Sequence, residues 1–234
     1  NKWGYNNATV NALTDAQQVE MDVQKRRRLI QDTQRILFED AAASPIVHPS
    51  MTNAYREDRL SGLVPQLGEG IGSLWTDLNV SVNSGDGYVR TGQTSPLKNL
   101  NPVAVHDSNE FKELRMIYDR LIQVGPDGSI VPWAATSINA VDSTTVDITL
   151  RNGMKFHDGK PVTVEDVKFT FDYCLKWKAP FFVSSLEKFE SVSITGSNTM
   201  RIKLVKPHAP LMINFFAQIF ILPKHIWQDI PEKV

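Results

Sequence analysis

The sequence predicts a mixed α+β protein of the α/β class, with antiparallel hairpins, and three observations predict it. Residues 144–150, "TTVDITL", alternate polar and apolar side chains with the period of two that a half-buried strand requires. "SVSIT" and "TMRIKLV" flank Gly196, Ser197 and Asn198, the turn composition of a β-hairpin. Val164, Val167, Phe171, Cys174 and Leu175 recur at helical spacing after Thr163, so an amphipathic helix lies between strand and hairpin.

Residues 14–42 read as one long helix: "TDAQ" offers Thr14 as N-cap with Gln17 at the capping-box position, and no Pro or Gly follows before Pro45. Val19, Val23, Ile30, Leu37 and Ala41 form its apolar stripe, and Lys25, Arg26, Arg27 and Arg28 form a basic cluster on the flank, the pattern of a solvated face. "SPIVHPSMTNAYRE" then reads as extended, and Gly62, Gly68, Gly70 and Gly72 break the next stretch into turns. "NSGDG", residues 83–87, has the composition of a junction and divides the chain into segments 1–82 and 88–234.

Beyond the junction, "YVRTGQT" reads as a short strand and "PLKNLNPVAVHDSN" as a loop. Phe111, Leu114, Ile117, Tyr118 and Leu121 mark a second amphipathic helix that runs toward Gly125, with Ser108 or Asn109 as its N-cap. "GPDG", residues 125–128, is a turn, because Pro126 presets φ and glycine accepts positive φ.

Composition excludes several function classes. Of 234 residues 41% are hydrophobic and 22% charged, enough apolar side chain for one or two cores. Twenty-five Lys and Arg against 26 Asp and Glu leave a net charge of -1, so no global field draws the chain to nucleic acid or to an anionic membrane. No run of eighteen apolar residues is present, and "NKWGYNN" has neither a charged n-region nor an apolar h-region. The single cysteine, Cys174, excludes an internal disulfide and a Cys-based zinc cluster.

His157 and Asp158, followed by Glu165 and Asp166, are residue types that a hydrolase uses for proton transfer. Each also has a structural role available. Asp158-Gly159 forms a turn, Thr163 is an N-cap, and Glu165 and Asp166 sit in the first helical turn, where carboxylates complement the macrodipole. No nucleophile or third orienting residue stands at a recognisable spacing, so the expectation is a turn and no catalytic residue. No pairing of His48, His208 and His225 at ligand spacing suggests a metal, and no cofactor is expected.

"TLRNGMKFHDGKPVTVEDVKFTFDY" resembles the signature of the bacterial extracellular solute-binding proteins of family 5, the receptors of ABC importers for peptides, nickel and related ligands. "LNPV", "IYDRLIQVGPDGSIVPWAATSI", "SVSITGSNTMRIKLVKPHAPLM" and "ILPKHIW" are similar to the passages that precede and follow that signature in the family. Segment 1–82, with "WGYNN", "RRRLIQDTQRILFEDAAASPIVH" and "AYREDRLSGLVP", resembles the closing helix, strand and tail of the same family. The order is therefore inverted, as in a piece cut across two tandem copies, in two ends joined, or in a circular permutation. Ile138 stands where the family usually has Trp.

The resemblance implies a partial lobe of the periplasmic-binding-protein fold, type II, cluster C. It implies a substrate-binding component, periplasmic or extracytoplasmic, that holds an oligopeptide or similar small solute between two lobes and delivers it to an ABC permease in the membrane. It places ligand-binding residues in the loop after "L-x-P", at Val105, His106, Asp107 and Ser108, and after the signature helix, at Phe181 and Phe182. Because the opposing lobe is mostly absent, the chain alone is expected to bind weakly or not at all, and its exposed apolar face to favour a homodimer. The alternatives are a non-binding structural or interaction module built on the basic helix, and a hydrolase using His157 and Asp158.

Overall fold

The computed structural model describes residues 4–44, 46–47, 52–92, 96–105 and 107–230. Its centre is a four-stranded antiparallel sheet in the order β5 (Ala135–Ala140), β6 (Thr145–Leu150), β8 (Thr199–Leu204), β7 (Phe189–Ile194). The sheet is half-buried, as its alternation requires. Val146, Ile148 and Leu150 of β6 and Met200, Ile202 and Leu204 of β8 turn into the core, while Asp147 and Arg201 pair across the other face at 2.6 and 2.8 Å.

The buried face is covered by α5 (Val164–Lys176), whose Val164, Val167, Phe171 and Cys174 are at most 2% exposed. Phe215 and Phe216, from a five-residue π-helix (Met212–Phe216), complete this layer, with the Phe215 ring 5.3 Å from Phe171 and 5.2 Å from Phe189. Leu175, expected on the same stripe, is 42% exposed, because position 175 has rotated past the edge of the contact. Thr163 is the N-cap, and its N–H and hydroxyl both donate to Asp166 Oδ2, at 2.9 and 2.8 Å. Asp166 Oδ1 accepts from Lys224 N at 3.0 Å, and Thr170 Oγ1 accepts from Leu222 N at 2.9 Å. The polar side of α5 thus holds the segment that leads into α7 (Lys224–Trp227).

On the sheet's flank, β3 (Ile122–Val124) and β4 (Ile130–Pro132) form a hairpin closed by the expected turn, in which Gly128 has φ +84°. The helix before it is α4 (Ser108–Leu114), which is shorter than the apolar spacing suggests. Ile221 N donates to the Asp119 carbonyl at 2.9 Å and Arg120 bridges to Phe220, and this pairing draws the chain out of helix before β3. The N-cap is Asp107, one residue before the expected positions; its Oδ1 accepts from the N–H groups of Asn109 and Glu110, both at 2.9 Å.

The N-terminal helix is two helices. α1 (Ala8–Val19) is capped by Asn7, and α2 (Val23–Glu39) by Asp22, whose Oδ1 accepts from Lys25 N at 2.8 Å. A free-standing cap acceptor at Asp22 competes with helix continuation, and it wins here. Thr14 is interior to α1, and α2 buries none of its residues, so Val23 of the expected stripe is 69% exposed. Residues 88–92 form no strand. β1 (Leu60–Ser61) pairs with β2 (Ser81–Val82), and α3 (Leu74–Asn79) lies between them. In the adjoining turn Asn83 N donates to the Arg59 carbonyl at 2.7 Å, and Gly85 takes φ +96°, a conformation that favours glycine. No helix among the described residues is long and apolar enough to cross a membrane.

Candidate functional site

The loop before α4 is folded by its own amides. Asn99 Oδ1 accepts from Asn101 N at 2.8 Å and Asn101 Oδ1 from Val103 N at 2.9 Å, two successive Asx turns that fix the course of "LNPV". Val105 is thereby driven fully into the core, and Asp107 is occupied as the cap of α4. His106 lies outside the described residues. Ser108 reaches the surface of a cavity of about 580 Å³.

Phe181 and Phe182 part company at this cavity. Lys178 takes a positive φ of 50° and Ala179 N donates back to the Cys174 carbonyl at 2.9 Å, which reverses the chain at the end of α5. Phe182 then enters the core, 1% exposed, its ring edge-on to Phe215 at 6.4 Å. Phe181 stays 46% exposed and lines the cavity, its centroid 6.2 Å from that of Phe111. Of the six expected contacts, Val105 and Phe182 are therefore core side chains with no surface to offer a solute, whereas Ser108 and Phe181 share one concave wall.

The other wall was not anticipated. Residues 66–75 are fastened to the β3–β4 hairpin: Trp75 Nε1 donates to the Val124 carbonyl at 2.8 Å, Gln66 Nε2 to the same oxygen at 3.3 Å, and Leu67 N to the Pro126 carbonyl at 3.1 Å. Arg115, its side chain 5% exposed, clamps this segment through Glu69 at 2.6 Å and the Gly72 carbonyl at 3.1 Å. Arg120 and Gln123 form the floor. The Arg120 guanidinium donates to Gln123 Oε1 and to the Ala217 carbonyl, and its carbon lies 5.6 Å from the centroid of the Phe111 ring. Desolvation, with the charge of Arg115, pushes its pKa down to about 10. Its neighbours Asp119 and Leu121 mark a helix face or strand edge in sequence, and nothing local signals a buried cation.

His157 and Asp158 lie in an exposed turn, as the Asp-Gly reading expects. Asp158 Oδ2 pairs with His225 Nε2 at 2.6 Å, so its partner is a histidine 67 positions away rather than its neighbour. The N–H of Lys160, followed by His225, holds the Asp158 carboxyl below its ordinary range. A cavity of about 280 Å³ beside this turn is lined by Met154, Tyr118, Ile226 and Trp227 among others, and its described lining carries no Ser, Thr or Cys to serve as nucleophile. Cys174 is buried, and burial pushes its thiol up to about 12, which makes it inert.

Residues 129–233 match the family model described as bacterial extracellular solute-binding proteins, family 5 Middle. The chain is 30% identical over 146 residues to the uncharacterized protein YejA of Escherichia coli (strain K12), a match covering 61% of the chain and 24% of the relative. It is 31% identical over 119 residues to the oligopeptide-binding protein AppA of Bacillus subtilis (strain 168), covering 50% of the chain and 22% of AppA. The structure of AppA in complex with a nonapeptide superposes with a TM-score of 0.51 at 27% identity, over 56% of this chain and 26% of that one. NikZ from Campylobacter jejuni in complex with Ni(L-His) gives a TM-score of 0.51 at 25% identity, over 58% and 27% of the two chains.

The chain spans about a quarter of the length of these relatives. Its mixed α/β architecture is that of the periplasmic binding proteins among them. Over residues 129–233 the chain is similar to the bacterial extracellular solute-binding proteins of family 5.

Proposed function

We propose that the chain supplies one wall of the solute site of an ABC importer's receptor, which holds an oligopeptide or similar small solute outside the cytoplasmic membrane and hands it to a membrane permease. One observation carries the reading: Phe181, within the family 5 match, and Ser108, at the start of α4, line a single cavity with Arg120 and Gln123 on its floor. Apolar faces beside a few convergent polar groups are what a small-solute site requires. Binding then draws on buried apolar surface and hydrogen bonds, with closure of two lobes about the solute and no covalent step. The relatives differ in cargo, a nonapeptide for AppA and Ni(L-His) for NikZ. The aromatic and guanidinium groups of this cavity favour an oligopeptide or another organic solute.

The division at 83–87 belongs to the same reading: segments 1–82 and 88–234 each contribute to the cavity, the first through residues 66–74 and the second through residues 108–124 and 181. The test is a thermal shift of this chain, and of any longer polypeptide that carries it, with a mixture of tri- to pentapeptides. Specific binding raises the melting temperature, and Phe181→Ala diminishes the rise. An unchanged melting temperature of the longer polypeptide across peptides, sugars and metal ions would count decisively against the proposal.

A second reading, an interaction module, has one observation in its favour: α2 buries no residue and leaves Phe38 86% exposed. Reversing the charges of Arg27 and Arg28 and finding permease association unchanged would remove it.

A further inference from the structure

The cavity between α4 and residues 66–74 is lined by more cations than carboxylates. Its lining side chains include three cations, Lys112, Arg115 and Arg120, and one carboxylate, Glu69. Glu69 is committed to Arg115 at 2.6 Å, and Asp77 stands 3.8 Å from the same guanidinium. Arg120 has no such partner among the described residues. It is 7% exposed and spends two donors on neutral acceptors, the Ala217 carbonyl at 2.6 Å and Gln123 Oε1, while its buried Nε–H meets no acceptor among the described residues.

A guanidinium withdrawn from water is costly unless an anion replaces its hydration. The downward displacement of the Arg120 pKa has the same origin, and an opposite charge in the cavity would reverse it. A guanidinium has five N–H donors in a planar fork, and that fork matches a planar oxyanion. Beside it, the Phe111 and Phe181 rings offer an apolar surface for whatever the anion is attached to.

We propose that Arg120 is the anchor for a carboxylate of the ligand, seated on the cavity floor with its adjoining carbon chain against Phe111 and Phe181. The identity of the ligand as a peptide rests on the solute-binding reading above; the anion site itself does not. A carboxylate from the C-terminus of a peptide and one from an acidic side chain share this chemistry, and the experiment separates them.

The test uses the chain labelled with ¹⁵N-arginine, in which the Nε–H resonance of Arg120 is assigned by its loss in Arg120→Lys. Sodium acetate, tri-alanine, tri-alanine amide, an amide-capped tripeptide with a central Asp, and inorganic phosphate are titrated separately at constant ionic strength. The expected result is a saturable shift of the Arg120 resonance with acetate and tri-alanine, and at least tenfold weaker binding of tri-alanine amide. Restored affinity for the capped Asp peptide assigns the carboxylate to a side chain; continued weak binding assigns it to the C-terminus. Arg120→Gln is expected to erase the preference for acid over amide.

Equal affinity for acid and amide would overturn the anchor while leaving solute binding intact. An acetate shift without binding of any peptide would keep the anion site and remove the peptide reading. No movement with acetate or tri-alanine would overturn the anion site, and tighter binding of phosphate than of either carboxylate would replace the carboxylate with a tetrahedral oxyanion. Should Arg120→Gln fail to fold, the acid and amide comparison on the unaltered chain decides the matter.

Discussion

Removing the Asp166 carboxylate is expected to loosen two elements at once. Its Oδ2 accepts from Thr163 N and Oγ1 at 2.9 and 2.8 Å, which closes the first turn of α5, and its Oδ1 accepts from Lys224 N at 3.0 Å, which starts α7. Asp166 is 6% exposed, so water cannot readily take over these bonds. Asp166→Ala loses a helix cap worth about 1 kcal/mol and strands the Lys224 N–H, which costs about 1–3 kcal/mol. The expected destabilisation is about 2–4 kcal/mol, or roughly 5–12 °C in melting temperature for a chain of this size. Asp166→Asn, which keeps one acceptor oxygen, should lose about half as much. Urea denaturation gives the free energy and amide hydrogen exchange locates it: Lys224 should lose protection together with residues 163–167. If Asp166→Ala costs less than about 0.5 kcal/mol, or if Lys224 keeps its protection, the carboxylate does not join the two elements and the reasoning fails.

Three further outcomes are expected. His208 is 7% exposed, and desolvation, followed by Lys188, Arg26 and Lys206, lowers its pKa from 6.5 to about 4. Between pH 6.5 and 4 the unfolded chain binds a proton that the fold refuses, so stability falls with pH across this window, by about 2–3 kcal/mol at its lower end. The urea midpoint of His208→Gln should show a shallower pH dependence there, and parallel profiles would refute the assignment. Cys174, 2% exposed with its thiol pushed up to about 12, should resist a disulfide reagent at pH 8 and react fully in guanidinium; rapid labelling of the native chain would contradict its burial. Arg115→Met removes the clamp on Glu69 and Gly72, so hydrogen exchange at residues 66–76 should rise while β6 and β8 stay protected. Uniform exchange across both regions would show that Arg115 is not local in its effect.

What was legible in the sequence is what local pattern determines. The alternation of β6, the hairpin of β7 and β8, and the capped start of α5 each require only neighbours within one element, and all three stand where the periodicity placed them. The long helix failed at Asp22 because a cap residue inside a run without Pro or Gly leaves no strong breaker to read. The second helix failed at Leu114 because its end is set by pairing with residues 220 and 221, a hundred positions on. Tertiary pairing of this range has no local signature.

The same division governs the site. Phe181 and Phe182 are adjacent and chemically identical, yet one faces the cavity and the other the core, and the reversal at Lys178 decides which. Ser108 is likewise presented by the cap at Asp107 and not by its own chemistry. Arg120 is the limiting case: "YDRL" reads as a polar pair at a helix end, and an exposed arginine is the ordinary expectation. It becomes a buried cation only because the Asp119 carbonyl is held by Ile221 and the Arg120 fork by Ala217, both from the segment that closes over the sheet. The scaffold signature and the lining of the cavity are therefore carried by different residues. If Arg120 holds the ligand as proposed, substitution at position 120 should alter ligand preference while "KFHDGKPVTVEDV" continues to fold the surface that presents it.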